Sequence, residues 1–507
     1  MVPSACWNCV LRPRAAATRA LLPPSSSAPR VASAPFHSSA AQYAQPAKKK
    51  ANTQTMMKHR QSMSIRRKKK KPVDRVRPPP VGERKALKKR IVLSNPNALE
   101  IEGMADLSAE TMSNPSLRGT IMGLPVDKLD QLRAVEAFKP KQSWSLFRRP
   151  STVFRRSTYE MGRLIDQITG DVEGAQQGKV VKKIVTGPKG SGKTVHLLQA
   201  MTMAFIKKWV VITVPDAREL VSGDTAYSPI EGTNPTQYVQ PNATSTLLSR
   251  VVKANQDVLA GLRISQQHPA LKGLKPGSTL ADLAKLGLQD AAVAWPVFQA
   301  LWTELNATKA APGVKDEFQP RPPMLVTLDG LAHWMGESVY RAADYTTIHS
   351  HDLVFVNHFL SLLTQGQTLG NGGLVLYATS TSNSPSNYSL EVGLDQLAAR
   401  QEGVKPSSPE YPQPESYSDA DPRVMDLFQA SMSKDGLLEL QTLSGLTRDE
   451  TRSYVTYFAR SGLLREVVND QLVGEKWSLS GGGVIGELEK VLRRPQLSRP
   501  QVATATA

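Results

Sequence analysis

Between residues 120 and 400 the hydrophobic positions fall into two kinds of segment that alternate along the chain. Short apolar runs bounded by turn residues occur at Lys183–Thr186, at "WVVITV" (Trp209–Val214), at "MLVTLD" (Met324–Asp329) and in "GGLVLYATS". A strand that is apolar at every position is covered on both faces, which is the signature of a parallel sheet in an α/β fold. Between these runs the apolar residues recur at every third or fourth position. Met161, Leu164, Ile165 and Ile168 of "STYEMGRLIDQI" share one helical face, and similar spacing follows from Lys193 to about Lys207, around 243–262 and 279–306, and in "HDLVFVNHFLSLLTQ". The stretch 215–323 is long for a single crossover and reads as an elaborated insertion.

The pattern also marks boundaries. A linker rich in Pro, Ser and acids spans 401–422, and a C-terminal module follows at 423–507. There "LTRDETRSYVTYFARSGLL" opens on the capping box Thr447–Glu450, and a strand pair is expected to turn at Asn469–Asp470, giving a helical, winged-helix-like module. Residues 121–400 form the central domain. Ahead of it, 46–120 is polar, poorly periodic and stiffened by "RVRPPPVGER", and reads as an extended, disordered arm.

Charge sharpens this division. The chain has 507 residues and a formal net charge of +19, yet 22 lysines and arginines lie before residue 91 against only Asp74 and Glu83. A basic arm is therefore joined to a nearly neutral body, and the runs "KKK" at 48–50 and "RRKKKK" at 66–71 suit a polyanion such as RNA or an anionic membrane. The first 50 residues contain no acid and set Arg12, Arg14, Arg19 and Arg30 among Ala, Ser and Pro, the composition of a mitochondrial presequence, assigned here to residues 1–45. Both cysteines, Cys6 and Cys9, fall in it, so the mature protein would have no disulfide and no thiol chemistry. No run of 18 apolar residues is present, so no transmembrane segment is expected.

The chemistry is concentrated in "GPKGSGKT". Gly187, Pro188, Lys189, Gly190, Ser191, Gly192, Lys193 and Thr194 fit G-x-x-x-x-G-K-[ST] at every fixed position, between a strand and a helix. The glycines leave room for backbone N–H groups to face phosphate oxygens, and the helix N-terminus adds partial positive charge. Lys193 is expected to reach the β- and γ-phosphates, and Thr194 to ligate magnesium together with Asp329, which ends an apolar strand. The cofactor is thus a nucleoside triphosphate or diphosphate with Mg. AAA+ ATPases usually carry a glutamate directly after that aspartate, but here the next residue is Gly330 and no acid occurs before Glu337. His333 is the remaining candidate to polarise water, and Ser380, Thr381 and Asn383 stand where a γ-phosphate sensor would lie. Hydrolysis is expected to be slow or absent, with no catalytic residue assigned.

With these motifs placed, the chain resembles the death-associated protein 3 family, the P-loop, GTP-binding proteins of the mitochondrial small ribosomal subunit. The resemblance runs from about residue 120 to the C-terminus. It rests on "GPKGSGKT" followed by "WVVITVPDA", on "QYVQPNATSTLLSRVVKAN", on "PMLVTLDGLAHWMG" and on the Tyr-rich helix "LTRDETRSYVTYFARSGLL". It implies an AAA+-like P-loop fold and bound GTP or GDP rather than ATP. It also implies a matrix location, with partners in the small-subunit rRNA, neighbouring ribosomal proteins and bridges to the large subunit. GTP over ATP rests on the resemblance alone, since no guanine-reading tetrapeptide is evident. The competing reading is an active mitochondrial AAA+-like ATPase that remodels nucleic acid or protein. Its C-terminal helix would then read DNA through Arg448, Arg452 and Arg460, although Asp449 and Glu450 weaken that face.

Overall fold

The computed structural model describes residues 91–493, apart from 171–177, 272–273, 275–276, 313–317, 365–368, 381–384, 416 and 433–437. The presequence, the basic arm to residue 90, Cys6, Cys9 and the C-terminal tail lie outside the described residues.

Five parallel strands form the central sheet: β1 (Val180–Thr186), β2 (Val210–Val214), β3 (Met324–Asp329), β4 (Gly373–Ala378) and β5 (Leu438–Thr442). Their spatial order is β5-β1-β4-β3-β2. The first four are the apolar runs of the sequence. The fifth, "LELQT", is half-polar and comes from beyond the 401–422 linker, so the segment placed by its sequence in the C-terminal module completes the central sheet. The register sets β4 between the two motif strands, with Ala378 opposite both Val185 and Asp329. The glycine-rich loop after β1 and the carboxylate ending β3 therefore meet at one edge of the sheet, the carboxyl ends of its strands.

Alternation along the strands divides the core in two. Val181, Val185, Val211, Leu325, Leu374 and Leu376 face one side, where α1 (Arg156–Thr169) and α2 (Lys193–Ile206) pack. Val210, Ile212, Val326, Val375 and Tyr377 face the other, against α3 (Pro241–Ala254), α4 (Leu280–Gln289) and α5 (Ala294–Asn306) of the insertion. Helices thus cover both faces, as the continuous apolar runs require. Leu93, Leu107 and Met112, in the stretch assigned by composition to the arm, are buried in the first of these layers. They are isolated anchors in polar sequence, and periodicity does not reveal them.

The C-terminal part differs from its sequence reading. Asn469 does not turn a strand pair; its side chain accepts from Leu472 N at 2.7 Å and caps a helix. The module consists of α6 (Arg448–Arg460), with the expected Thr447–Glu450 capping box, α7 (Asp470–Leu479) and α8 (Ile485–Arg493). Tyr454, Val455, Phe458, Leu472, Leu488 and Leu492 form its core together with Phe147 and Val153 from the segment ahead of β1. Among the described residues, no helix is long and apolar enough to cross a membrane.

Strand β2 is an edge, and its free side is closed by one amide. Asn255, 2 % exposed, accepts from Val211 N and donates to Val211 O, each at 2.8 Å. Asn255→Ala would strip two buried backbone groups of these partners, at a cost of about 2–4 kcal/mol. A clear fall in the calorimetric unfolding midpoint is expected; an unchanged midpoint would show that the edge finds other partners.

Candidate functional site

The glycines of the loop after β1 have two causes, a close approach at Gly187 and left-handed backbone at Gly190 and Gly192. Gly187 has φ +145°, and a Cβ there would sit 2.4 Å from the carbonyl oxygen of Leu443, the residue after β5. Gly190 and Gly192 also lie in the left-handed region, at φ +84° and +98°. Above them rests α8: Gly486 N donates to Gly190 O at 2.9 Å, and a Cβ on Gly192 would meet Ile485 Cδ1 at 3.4 Å. Pro188 and Lys189 are exposed, and Ser191 is fully buried with no partner for its Oγ among the described residues.

Lys193 and Thr194 open α2 behind Gly192, which offers no side-chain cap. Lys193 is buried, and its Nζ donates to Gly187 O (2.6 Å) and Pro188 O (3.0 Å). Both are neutral acceptors, and burial lowers the lysine pKa, opposed by the charge of Asp329. A buried ammonium held only by carbonyls suits an anion in front of it. Thr194 Oγ1 donates to Asp329 Oδ2 at 2.7 Å, so the two residues expected to ligate one magnesium stand side by side. Asp329 faces the pocket but is ringed by protein. Burial pushes its carboxyl pKa up and Asp216 adds to this, while the Thr194 hydrogen bond and the charges of Lys139 and Lys193 pull it down.

Gly330, at φ +95°, starts a short turn, Leu331–Trp334, which Trp334 Nε1 ties to Ala217 O at 3.0 Å. The left-handed backbone explains the missing glutamate: a side chain at this position would be strained. His333 lines the pocket, and burial lowers its pKa, which keeps it neutral at pH 7. Ser380 lies on the pocket wall, whereas Thr381 and Asn383 fall outside the described residues.

These groups surround a cavity of about 560 Å³. Its other walls could not be read from local motifs. They include Lys139, Gln142 and Ser143 before β1, Arg155 at the start of α1, Asp216 after β2, and Tyr454 and Glu489 of the C-terminal module. Arg155 binds the parts together, donating to Ser191 O (3.0 Å) and Ser444 O (2.6 Å). A glycine-rich cradle, an anion-seeking lysine and a paired Thr–Asp fit a nucleoside phosphate with its cation; the volume lies within the range of small-molecule sites.

The family model for mitochondrial ribosomal death-associated protein 3 matches residues 152–491. The chain belongs to that family. It is 38 % identical to the small ribosomal subunit protein mS29 of Neurospora crassa over 97 % of this chain and 98 % of the relative. It is 24 % identical to mS29 of Schizosaccharomyces pombe over 76 % of this chain and 74 % of that protein. Among solved structures, a Walker-type ATPase of Pyrococcus abyssi aligns over 66 % of this chain and 65 % of its own, at 13 % identity and a TM-score of 0.32, too low to support any argument. The matched region runs from the segment before α1 into α8, so it takes in the loop, Asp329 and the helix that covers them.

The arginines of α6 that a DNA-reading helix would present are engaged within the protein. Arg452 pairs with Asp470, Arg448 lies over the Trp477 ring at 5.2 Å, and Arg460 reaches Glu102 O at 3.4 Å. The part of the module that touches the phosphate loop is the start of α8, through Gly486 on Gly190 and Ile485 beside Gly192.

The raised pKa of Asp329 has a direct consequence for stability. The folded state holds this proton more tightly than the unfolded chain, so the group's contribution is greatest at low pH and declines as pH rises through the raised value. At neutral pH the ionised carboxylate costs stability. Asp329→Asn is therefore expected to raise the thermal midpoint of the ligand-free protein at pH 7, with the gap narrowing as pH falls toward the ordinary carboxylate range. A lower midpoint at pH 7 would mean that Lys193 and Thr194 outweigh the desolvation.

Proposed function

We propose that this chain is a structural constituent of the small subunit of the mitochondrial ribosome, located in the matrix, that retains GTP or GDP with Mg as part of its fold and supports mitochondrial translation. Its presequence is residues 1–45, the basic part of its arm 46–120 meets small-subunit rRNA, and Leu93, Leu107 and Met112 of that stretch pack into the nucleotide-binding domain 121–400, with its insertion at 215–323. The 401–422 linker leads into the C-terminal module, 423–507, whose strand β5 completes the sheet of that domain. Neighbouring ribosomal proteins and bridges to the large subunit are its other partners. Family membership and the names of the mS29 relatives support the ribosomal role.

The observation that carries the structural reading of the nucleotide is the cover over the loop. Helix α8 bonds directly to Gly190, and Gly330 excludes a side chain where a water-activating glutamate would stand. In this reading Gly187–Thr194 hold the phosphates, Lys193 counters their charge, and Thr194 and Asp329 hold the magnesium. The metal would supply charge neutralisation between phosphate and carboxylate. A ligand that binds only the native state stabilises it by about 4 kcal/mol at a thousandfold excess over Kd.

A remodelling ATPase is the second reading, favoured by Asp216 and His333 on the pocket wall beside Asp329. It requires magnesium-dependent turnover well above about one per minute, beyond the intrinsic rates of switch GTPases.

The two readings part in one preparation. Small subunits purified on a gradient should contain this protein with close to one guanine nucleotide per copy, identified by chromatography after extraction. Lys193→Ala should lower both the nucleotide content and the thermal midpoint of the protein. Absence of the protein from the subunit peak would overturn the ribosomal role. A Lys193→Ala protein of unchanged midpoint and incorporation would overturn the structural role of the nucleotide.

A further inference from the structure

Resting on that reading of the pocket, we infer that Glu489 is the residue that selects guanine, with Gln142 as its complement. The argument starts from where α8 lies. Gly486 touches the phosphate loop, its N–H on Gly190 O at 2.9 Å. Glu489 is three residues further along the same helix, hence on the same face and about 4.5 Å further along its axis. It lines the same cavity, and its carboxylate bonds to Ser143 and Tyr454 and not to the phosphate loop, so with phosphates on the loop it is left to meet the base.

The carboxylate is held, not free to swing. Ser143 Oγ donates to Glu489 Oε2 at 2.5 Å and Tyr454 OH donates to Oε1 at 2.7 Å. Each bond uses one acceptor site on its oxygen and leaves another, so the fixed carboxylate retains an acceptor pair. Gln142 is oriented in the same way. Its Oε1 accepts from Trp144 Nε1 at 2.6 Å and from Lys139 N at 2.7 Å, which assigns the oxygen. No hydrogen bond of its Nε2 occurs among the described residues, so the amide offers donors to the cavity that it lines.

An acceptor pair with a nearby donor is the complement of guanine. Guanine presents two adjacent donors, N1–H and the 2-amino group, and acceptors at O6 and N7. Adenine presents the reverse edge, with N1 as an acceptor and N6 as a donor. Adenine at this position would set lone pairs against the carboxylate and N–H against the Gln142 amide. A site built to hydrogen-bond one partner rejects the mismatched one strongly, because its own polar groups are then left unpaired.

The test is a swap of one donor for one acceptor. Glu489→Gln keeps the size of the side chain and suits xanthine, which carries a carbonyl where guanine carries its 2-amino group. Full-length wild-type and variant proteins are titrated with GDP, XDP and ADP in magnesium buffer, with thermal unfolding as a check on folding. Wild type is expected to prefer GDP. Glu489→Gln should lose about 10- to 100-fold in GDP affinity, the worth of a hydrogen bond to a charged group, and should gain affinity for XDP, reversing the order. Misfolding or loss of a ribose contact would weaken all three nucleotides alike, and that result would overturn the assignment. So would a variant that keeps the wild-type order. If the wild type prefers GDP and the variant does too, the nucleotide reading stands and only the role of Glu489 fails. If the wild type binds none of the three, both fail together.

Discussion

The loop Gly187–Thr194 is pressed from two sides by parts of the chain that lie more than 250 residues later in sequence, and most of the site depends on that squeeze. From below, the Leu443 carbonyl leaves no space for a Cβ on Gly187; from above, Gly486 bonds to Gly190. The loop is therefore not a free-standing motif. It takes its shape only when β5 has joined the sheet beside β1 and α8 has settled over the helix N-terminus. Arg155 adds a third tie, bridging the loop carbonyl of Ser191 and the chain just after β5. The C-terminal segment and the phosphate cradle therefore share contacts in the folded state.

That closure sets the electrostatics. Inside the covered space a lysine bonds only to carbonyls, and a carboxylate is held above its ordinary pKa by burial. Each charge is partly compensated by the other, and the Thr194 hydroxyl relieves the carboxylate by one hydrogen bond. Neither arrangement favours the ligand-free protein, because desolvating a charge costs more than a single neutral partner returns. An anion beside Lys193 and a cation beside Asp329 would remove both costs. The strain of the site is thus a reason for it to stay filled.

The short apolar runs of the sequence were enough to place four of the five strands, because parallel strands covered on both faces are mostly apolar; the most polar of the four, β1, still reads "IVT" after Lys182 and Lys183. The motif residues followed from spacing, and the structure brings Thr194 and Asp329 within one hydrogen bond although 135 residues separate them. What the sequence hid has physical causes. Strand β5 is an edge strand with alternating Glu439 and Gln441, so its polarity resembles a loop. Asn469 followed by Asp470 is a turn signal and a helix-cap signal at once, and only the apolar positions beyond it, Leu472 and Val473, decide for the helix. Gln142, Arg155, Asp216 and Glu489 have no local signature, since each reaches the pocket from a different segment and matters only through tertiary packing.

This distribution bears on why a protein with glycine in place of the water-activating glutamate after Asp329 would keep a phosphate loop. A pocket whose walls come from residues 139–155, 190–196, 215–218, 329–333 and 443–489 exists only in the folded state. A ligand inside it contacts every layer of the protein together, which no side chain of the chain does. Binding energy spent there is folding energy for the whole body, by the same linkage that makes structural metals part of a fold. Helix α8 lies against the loop at Gly190 and Gly192, so a ligand on the loop would tie β5, α8 and the loop together. A protein that must persist inside a large assembly gains more from a cover that stays closed, and the glycine after Asp329 is consistent with that choice.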